Sequence, residues 1–216
     1  GALDIELAEI PDWNCCGATA AHSVNHRASM GLAARTLNLA AKLPHRNLLV
    51  PCPMCFNRLK TGAWTLQADH RQRYPIKLEK TLPHIWDLAD FFATDQMLEL
   101  TANHVKNPLE GLKVVCYYGC MANRPPEITE AKNFEDPQAL DRIVNNLGAE
   151  AIDWPFKTDC CGAGQVLSRL DIVSKLVGKL YDMAQRVGAQ AMVVPCQMCQ
   201  ANLDMYQQKI EADWGR

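Results

Sequence analysis

The sequence has no apolar run approaching the ~20 residues needed to cross a bilayer, and no short apolar core of the kind that marks a secretory leader. A soluble, cytoplasmic chain without a membrane segment is the expectation. Net charge is nearly absent too, since 22 Lys and Arg face 24 Asp and Glu and leave −2. That balance excludes the polybasic face that nucleic acid or an anionic membrane surface demands. Neither GxGxxG nor GxxxxGK[ST] occurs, so no phosphate-cradling loop is expected. No Ser-His-Asp order stands out, the scattered acids form no glycosidase pair, and no stretch is of low complexity. Cysteine itself is sparse by the standard of stapled secreted domains: ten in 216 residues, against more than about 8–10 % in such scaffolds.

Those ten cysteines are nevertheless the most informative residues present. Cys15-Cys16-Gly17 is followed after 35 residues by Cys52-Pro53-Met54-Cys55, and Cys160-Cys161-Gly162 after 34 by Cys196-Gln197-Met198-Cys199. Cys116 and Cys120 stand ahead of the second set. A disulfide framework fits poorly. Adjacent cysteines pair only through a strained ring, and a chain of this length buries a core without staples. A thiol-rich set recurring at fixed spacing points to metal, because thiolates are the soft ligands that iron–sulfur clusters and zinc prefer. The same repetition makes a single nucleophilic cysteine the weaker explanation.

The repeat also organises the fold. In the second half, strands are expected at Leu112–Tyr118, Ala151–Pro155 and Ala191–Val194. Helices are expected at Pro137–Leu147, Val166–Val187 and Gln200–Ile210. In the first half, Ile5–Ile10 and Asn47–Val50 read as strands, and Ala18–Leu43, a stretch from about Phe56, and Ile85–Val105 as helices. Strand alternating with helix predicts an α/β fold of two related lobes, 1–107 and 108–216, meeting near Lys106–Gly111. Each lobe is expected to hold a short parallel sheet flanked by helices, with cysteines at strand C-termini and helix N-termini. Ligands bind there in such sheets, and the helix dipole favours thiolates. Cys120 precedes Cys160 by 40 residues whereas only 14 precede Cys15, and residue 1 is Gly rather than Met. The chain is therefore expected to lack the leading strand and helix of its first lobe.

The tandem pattern, together with Asp12-Trp13-Asn14-Cys15-Cys16-Gly17-Ala18-Thr19, Val50-Pro51-Cys52, Cys116-Tyr117-Tyr118-Gly119-Cys120 and Arg124-Pro125-Pro126, resembles the B subunit family of heterodisulfide reductase, built from cysteine-rich CCG domains. The resemblance spans essentially the whole chain, which looks short at both ends. It implies two noncubane [4Fe-4S] clusters flanking a pocket where a small-molecule disulfide is split. In methanogens that substrate is the mixed disulfide of coenzymes M and B; bacterial relatives use others. It implies as partners a ferredoxin-like C subunit and a flavin-bearing A subunit. Related domains occur in lactate, glycolate and thiol–fumarate oxidoreductases, so the domain alone names no substrate. The implied ligands are Cys120, Cys160, Cys161, Cys196 and Cys199 in the second lobe, and Cys15, Cys16, Cys52 and Cys55 in the first. The first lobe's fifth thiolate is expected outside this sequence; four cysteines alone still suit a cubane cluster or zinc.

Splitting an S–S bond takes two electrons, and two clusters facing one substrate supply one each without releasing a thiyl radical. Other residues carry weaker signals. Cys116, four residues before Cys120, shares its face by strand period and reads as a buried residue that packs or supports the ligands, with direct ligation the alternative. His22 and His26 are spaced i, i+4 after the first CCG and read either as a surface or packing pair or as function, with His22 the proton donor to a departing thiolate. Trp13, Trp154, Met54 and Met198 read as apolar shielding, and Pro51 and Pro195 as turn stiffeners. Arg124 suits an anion-attracting pocket mouth or a surface ion pair. Three readings stay open: a disulfide-reducing catalytic subunit, an electron relay to a partner's flavin or quinone site, and a zinc-binding structural module, for which an adjacent cysteine pair is a poor fit.

Overall fold

A computed structural model describes residues 3–18, 21–69 and 73–215. The expected strand at Ile5–Ile10 is instead extended surface chain, because its backbone finds no ladder partner and Leu7 stays exposed. The expected helix Ala18–Leu43 is two helices, α1 (Ala21–Val24) and α2 (His26–Ala41), with Thr19 and Ala20 outside the described residues. Asn25 breaks it: extended backbone (φ −151, ψ 95) lets its side chain accept from the Ala28 amide at 3.0 Å and cap α2. β1 (Asn47–Val50) matches its expectation. α3 (Pro53–Gln67) starts three residues before Phe56, since Pro53 suits the first helical position and Cys52 takes the cap.

The expected helix Ile85–Val105 begins as a strand. β2 (His84–Asp87) lies parallel to β1, with Asn47 opposite His84 and Val50 opposite Asp87. Covering the β1 edge buries Ile85, and Asp87 then caps α4 (Leu88–Phe92) by accepting from the Ala89 amide at 3.0 Å. α5 (Asp95–Ala102) follows.

In the second half β3 (Lys113–Cys116) leads through α6 (Pro126–Thr129) to α7 (Ala139–Asn146), closed by Gly148 at φ +90. β4 is only Glu150–Ala151, shorter than expected. A 3₁₀ turn (Ala163–Gln165) delays α8 to Leu170–Arg186, and β5 (Ala191–Val193) follows. The last expected helix divides into α9 (Gln197–Gln200), a π turn (Ala201–Met205) and α10 (Gln207–Asp213). The sheet is parallel throughout, in order β4-β3-β5. The α/β expectation therefore holds in both halves, around two parallel sheets.

β3 is buried on both faces, as the central strand of a parallel sheet must be. Val115 and Tyr117 pack with Trp154, Val173, Val177 and Leu180. Val114, Cys116 and Tyr118 pack on the opposite side with Leu140 and Val144, joined there by Ala89 of α4. A separate cluster of Ala33, Leu37, Val50, Phe56, Leu59 and Ile85 fills the first half. Across the halves, buried Asn57 donates to the carbonyls of Met121 and Arg124 at 2.9 and 2.8 Å, and Lys60 pairs with Glu130 at 2.6 Å. Among the described residues, no helix is long and apolar enough to cross a membrane.

Candidate metal centre

The second cysteine group gathers beyond the ends of the second sheet's strands. After β3, the amides of Tyr118 and Gly119 donate to the Lys157 carbonyl at 2.8 and 3.1 Å, and Gly119 turns the chain at φ +66. A Cβ on Gly119 would lie 3.2 Å from the Cys199 sulfur and crowd it, and the positive φ itself favours glycine. The turn takes Cys120 out of the strand, so the expected shared strand face with Cys116 does not form. Cys160 and Cys161 occupy the loop before the 3₁₀ turn, where the Gly162 amide donates to the Cys160 sulfur at 3.3 Å. Cys196 caps α9 and Cys199 sits within it, 3.4 Å from Cys161, sulfur to sulfur. Hydrogen bonding from Cys120 lowers Cys160 to about 6, while Cys120 itself is driven up. In the same way Cys199 lowers Cys161 and brings Cys196 to about 7, and is raised in turn.

The first group repeats this arrangement with one sulfur fewer. Cys15 and Cys16 precede α1, with the Gly17 amide 3.4 Å from the Cys15 sulfur. Cys52 caps α3 and Cys55 lies in its first turn, with its sulfur 2.9 Å from that of Cys16. Hydrogen bonding from Cys55 lowers Cys16 and Cys52 each to about 6 and raises Cys55. All ten cysteines are free thiols. In each group raised and lowered cysteines stand within hydrogen-bond reach of one another, an arrangement suited to a thiophilic cation, whose ligands bind as thiolates. As the side chains stand, no three or more His, Cys, Asp or Glu among the described residues close around a single ion. The all-sulfur donor sets, with one cysteine of each adjacent pair exposed and the other buried, fit a multi-iron sulfur cluster by their chemistry.

The two groups adjoin. The charge of Cys52 acts on Cys196, Gln197 donates to the Pro51 carbonyl at 3.3 Å, and Met54 packs against the second half's core. Met198 packs there as well. Trp154 is buried and donates to the Cys116 carbonyl at 2.8 Å, whereas Trp13 is exposed and donates to Glu9, so shielding falls to Trp154 and not Trp13. Cys116 is fully buried in the core, and burial pushes its thiol up to about 12. Arg124 takes the ion-pair alternative, meeting Glu135 at 2.9 Å. The break at Asn25 separates the expected histidine pair: His22 lies exposed on α1 beside Ser23, while His26 contacts the Tyr74 hydroxyl at 2.9 Å. Sequence reasoning gave no role to Tyr117, whose hydroxyl donates to the Asp159 carbonyl at 2.7 Å beside the second group. It passed over Asn202 as well, which donates to the Cys161 carbonyl. Tyr117 stood inside the Cys116–Cys120 motif; Asn202 had no local signal.

The cysteine-rich CCG domain is matched over residues 1–60 and 114–204. The chain is 30% identical over 216 residues to the 8-methylmenaquinol:fumarate reductase membrane anchor subunit of Wolinella succinogenes, covering 95% of this chain and 74% of that protein. It is 24% identical over 224 residues to the B subunit of the ferredoxin:CoB-CoM heterodisulfide reductase of Methanosarcina mazei, with 99% and 74% covered. A protein of Archaeoglobus profundus, named as like the B subunit of heterodisulfide reductase, is 26% identical over 225 residues, with 98% and 75% covered.

Proposed function

Because the chain belongs to the cysteine-rich CCG family, we propose that it is an iron–sulfur oxidoreductase subunit of the heterodisulfide reductase B type, which reduces a small-molecule disulfide. Cys120, Cys160, Cys161, Cys196 and Cys199 would hold one cluster, and Cys15, Cys16, Cys52 and Cys55 the other. Both would be [4Fe-4S] clusters, of the noncubane type where five cysteines serve, and would supply one-electron steps and iron sites that accept sulfur. The balanced reaction takes RS–SR′, two electrons and two protons to RSH and R′SH.

The observation that carries this reading is that the two cysteine groups adjoin through their CxxC turns. One disulfide can then receive both electrons without leaving the chain. The exposed Cys15 and Cys160 mark the open side of each group, and the buried Cys16 and Cys161 the protected side. His22 is the proton donor offered by the first half, and His22→Asn slows thiol release without changing iron content. A ferredoxin-like C subunit and a flavin-bearing A subunit are the proposed partners, in the cytoplasm, with lobes 1–107 and 108–216 as the two cluster-bearing units.

A second reading, an electron relay in a quinol-linked complex, is favoured by the Wolinella relative, a subunit named for a menaquinol:fumarate reductase. Anaerobic iron, sulfide and zinc analysis with EPR of the oxidised chain in candidate thiols separates the readings. About eight irons per chain with a thiol-dependent signal is the expected result. The same iron with no thiol dependence favours the relay, and zinc without iron overturns both.

A further inference from the structure

Aligning the two CxxC motifs places Arg58 opposite Asn202, each three residues beyond the second cysteine. Both positions lie one helical turn past the second cysteine of their CxxC motif. Asn202 is 1% exposed in the π turn, and its amide nitrogen lies 3.0 Å from the Cys161 carbonyl and 3.7 Å from the Cys161 sulfur. Its amide oxygen has no partner among the described residues. Arg58 is half-buried in α3, and its guanidinium donates to Asn57 Oδ1 at 2.8 Å. No carboxylate pairs with it among the described residues; it stands one helical turn beyond Cys55, whose sulfur lies 2.9 Å from that of Cys16, the counterpart of Cys161. A half-buried guanidinium held away from carboxylates calls for another anion. A metal–thiolate group on Cys16 is one.

A second matched pair leans the same way. Aligning the CCG motifs puts Asn14 opposite Asp159. Asn14 is neutral and donates to the Cys15 carbonyl at 2.9 Å, whereas the carboxylate of Asp159 acts on Cys160. Lys179, 2.9 Å from Asp159, offsets part of that charge. At the CxxC position the first half has a cation where the second has an amide. At the CCG position the second half has an anion where the first has an amide.

We propose that these substitutions widen the difference between two centres that already differ by one cysteine, with Arg58 the residue that raises the reduction potential of the first centre further above that of the second. The inference rests on the iron–sulfur reading above. Reduction adds negative charge to a cluster. A partly desolvated cation stabilises that charge more than a single amide dipole does, and a neighbouring carboxylate opposes it. With clusters bound, Arg58 would favour transfer of an electron from the second centre, reduced by a low-potential one-electron carrier, to the first; the second would be oxidised and the first reduced by one electron, with no atom moved.

The test is an EPR-monitored redox titration of the full chain reconstituted anaerobically, after its iron and sulfide have been counted. The wild type is expected to show two separate one-electron steps. Arg58→Gln lowers the upper step by more than tenfold in equilibrium constant, about 59 mV for one electron, and Arg58→Lys keeps it in place. Asp159→Asn raises the lower step and carries the test independently if the Arg58→Gln chain fails to load. Fully loaded variants whose steps coincide with the wild type overturn the inference alone, as does movement of the lower step in Arg58→Gln. A correctly folded wild-type chain that takes up no iron overturns the iron–sulfur reading and this inference together.

Discussion

Lys157 is the residue on which the second sheet's exit loop depends. It is 3% exposed, and its ammonium lies 2.8 Å from Asp136, 3.2 Å from Asp141 and 3.5 Å from Asp153. Asp141 is itself buried and accepts from the Tyr118 hydroxyl at 2.6 Å. Removing one member of such a network strands the other charge, which costs more than the pair contributes by forming. Lys157→Met should therefore cost about 3–5 kcal/mol, seen as a lower urea midpoint, and adding Asp141→Asn should recover part of it. In sequence, a lysine just before Asp159 and the CCG motif is unremarkable. Nothing local tells that three aspartates close around it, because Asp136 and Asp141 arrive from another loop and helix.

At the scale of elements, packing and capping decide what local pattern leaves ambiguous. α2 and α3 meet so closely that a Cβ on Gly62 would lie 2.5 Å from the Cβ of Ala33. Gly62→Ala should lower the thermal midpoint, because overpacking costs about 1–3 kcal/mol and exceeds the helix-propensity gain of about 1 kcal/mol. Adding Ala33→Gly should restore it. The start of α4 carries a pH-dependent cost. Burial, helped by neighbouring Asp90, raises Asp87 to about 6. A carboxyl raised in the folded state contributes stability that is complete below its unfolded value near about 3.9. That contribution is lost as pH rises through about 6. Asp87→Asn keeps an oxygen for the Ala89 amide. It should match the wild type near pH 4, to within the loss of a charge, and exceed it in stability above pH 6, as followed by denaturant midpoints across pH.

For the whole molecule, the cysteine groups tie chain segments that are far apart in sequence. Cys16 meets Cys55, Cys161 meets Cys199, and the turns of the two groups meet where Gln197 donates to the Pro51 carbonyl. Metal held by those sulfurs would bind the folded chain and not the unfolded one, and its binding free energy would then be folding free energy. Stripping metal from the loaded chain with a chelator should lower its thermal midpoint. A shift of about 2–4 °C is expected for each kcal/mol lost in a chain of this size, measured by calorimetry under anaerobic conditions. No shift would mean that the sulfurs hold no metal that matters to the fold.

Sequence alone determined the class of fold and which cysteines recur as matched groups, for a physical reason: both depend on local signals that recur. The fixed spacing of the CCG and CxxC words survives in any conformation, and short apolar runs such as Lys113–Cys116 and Asn47–Val50 form strands where expected. The tertiary structure alone decided everything that depends on a distant partner. Ile85 and Trp86 became strand because β1 offered an edge, and Ile5–Ile10 did not because no edge reached them. His22 and His26 parted because Asn25 preferred capping to continuing a helix. Arg58 and Asn202 acquired meaning only when folding set each beside its own cysteine, since the charge of a site is a sum over neighbours in space rather than along the chain.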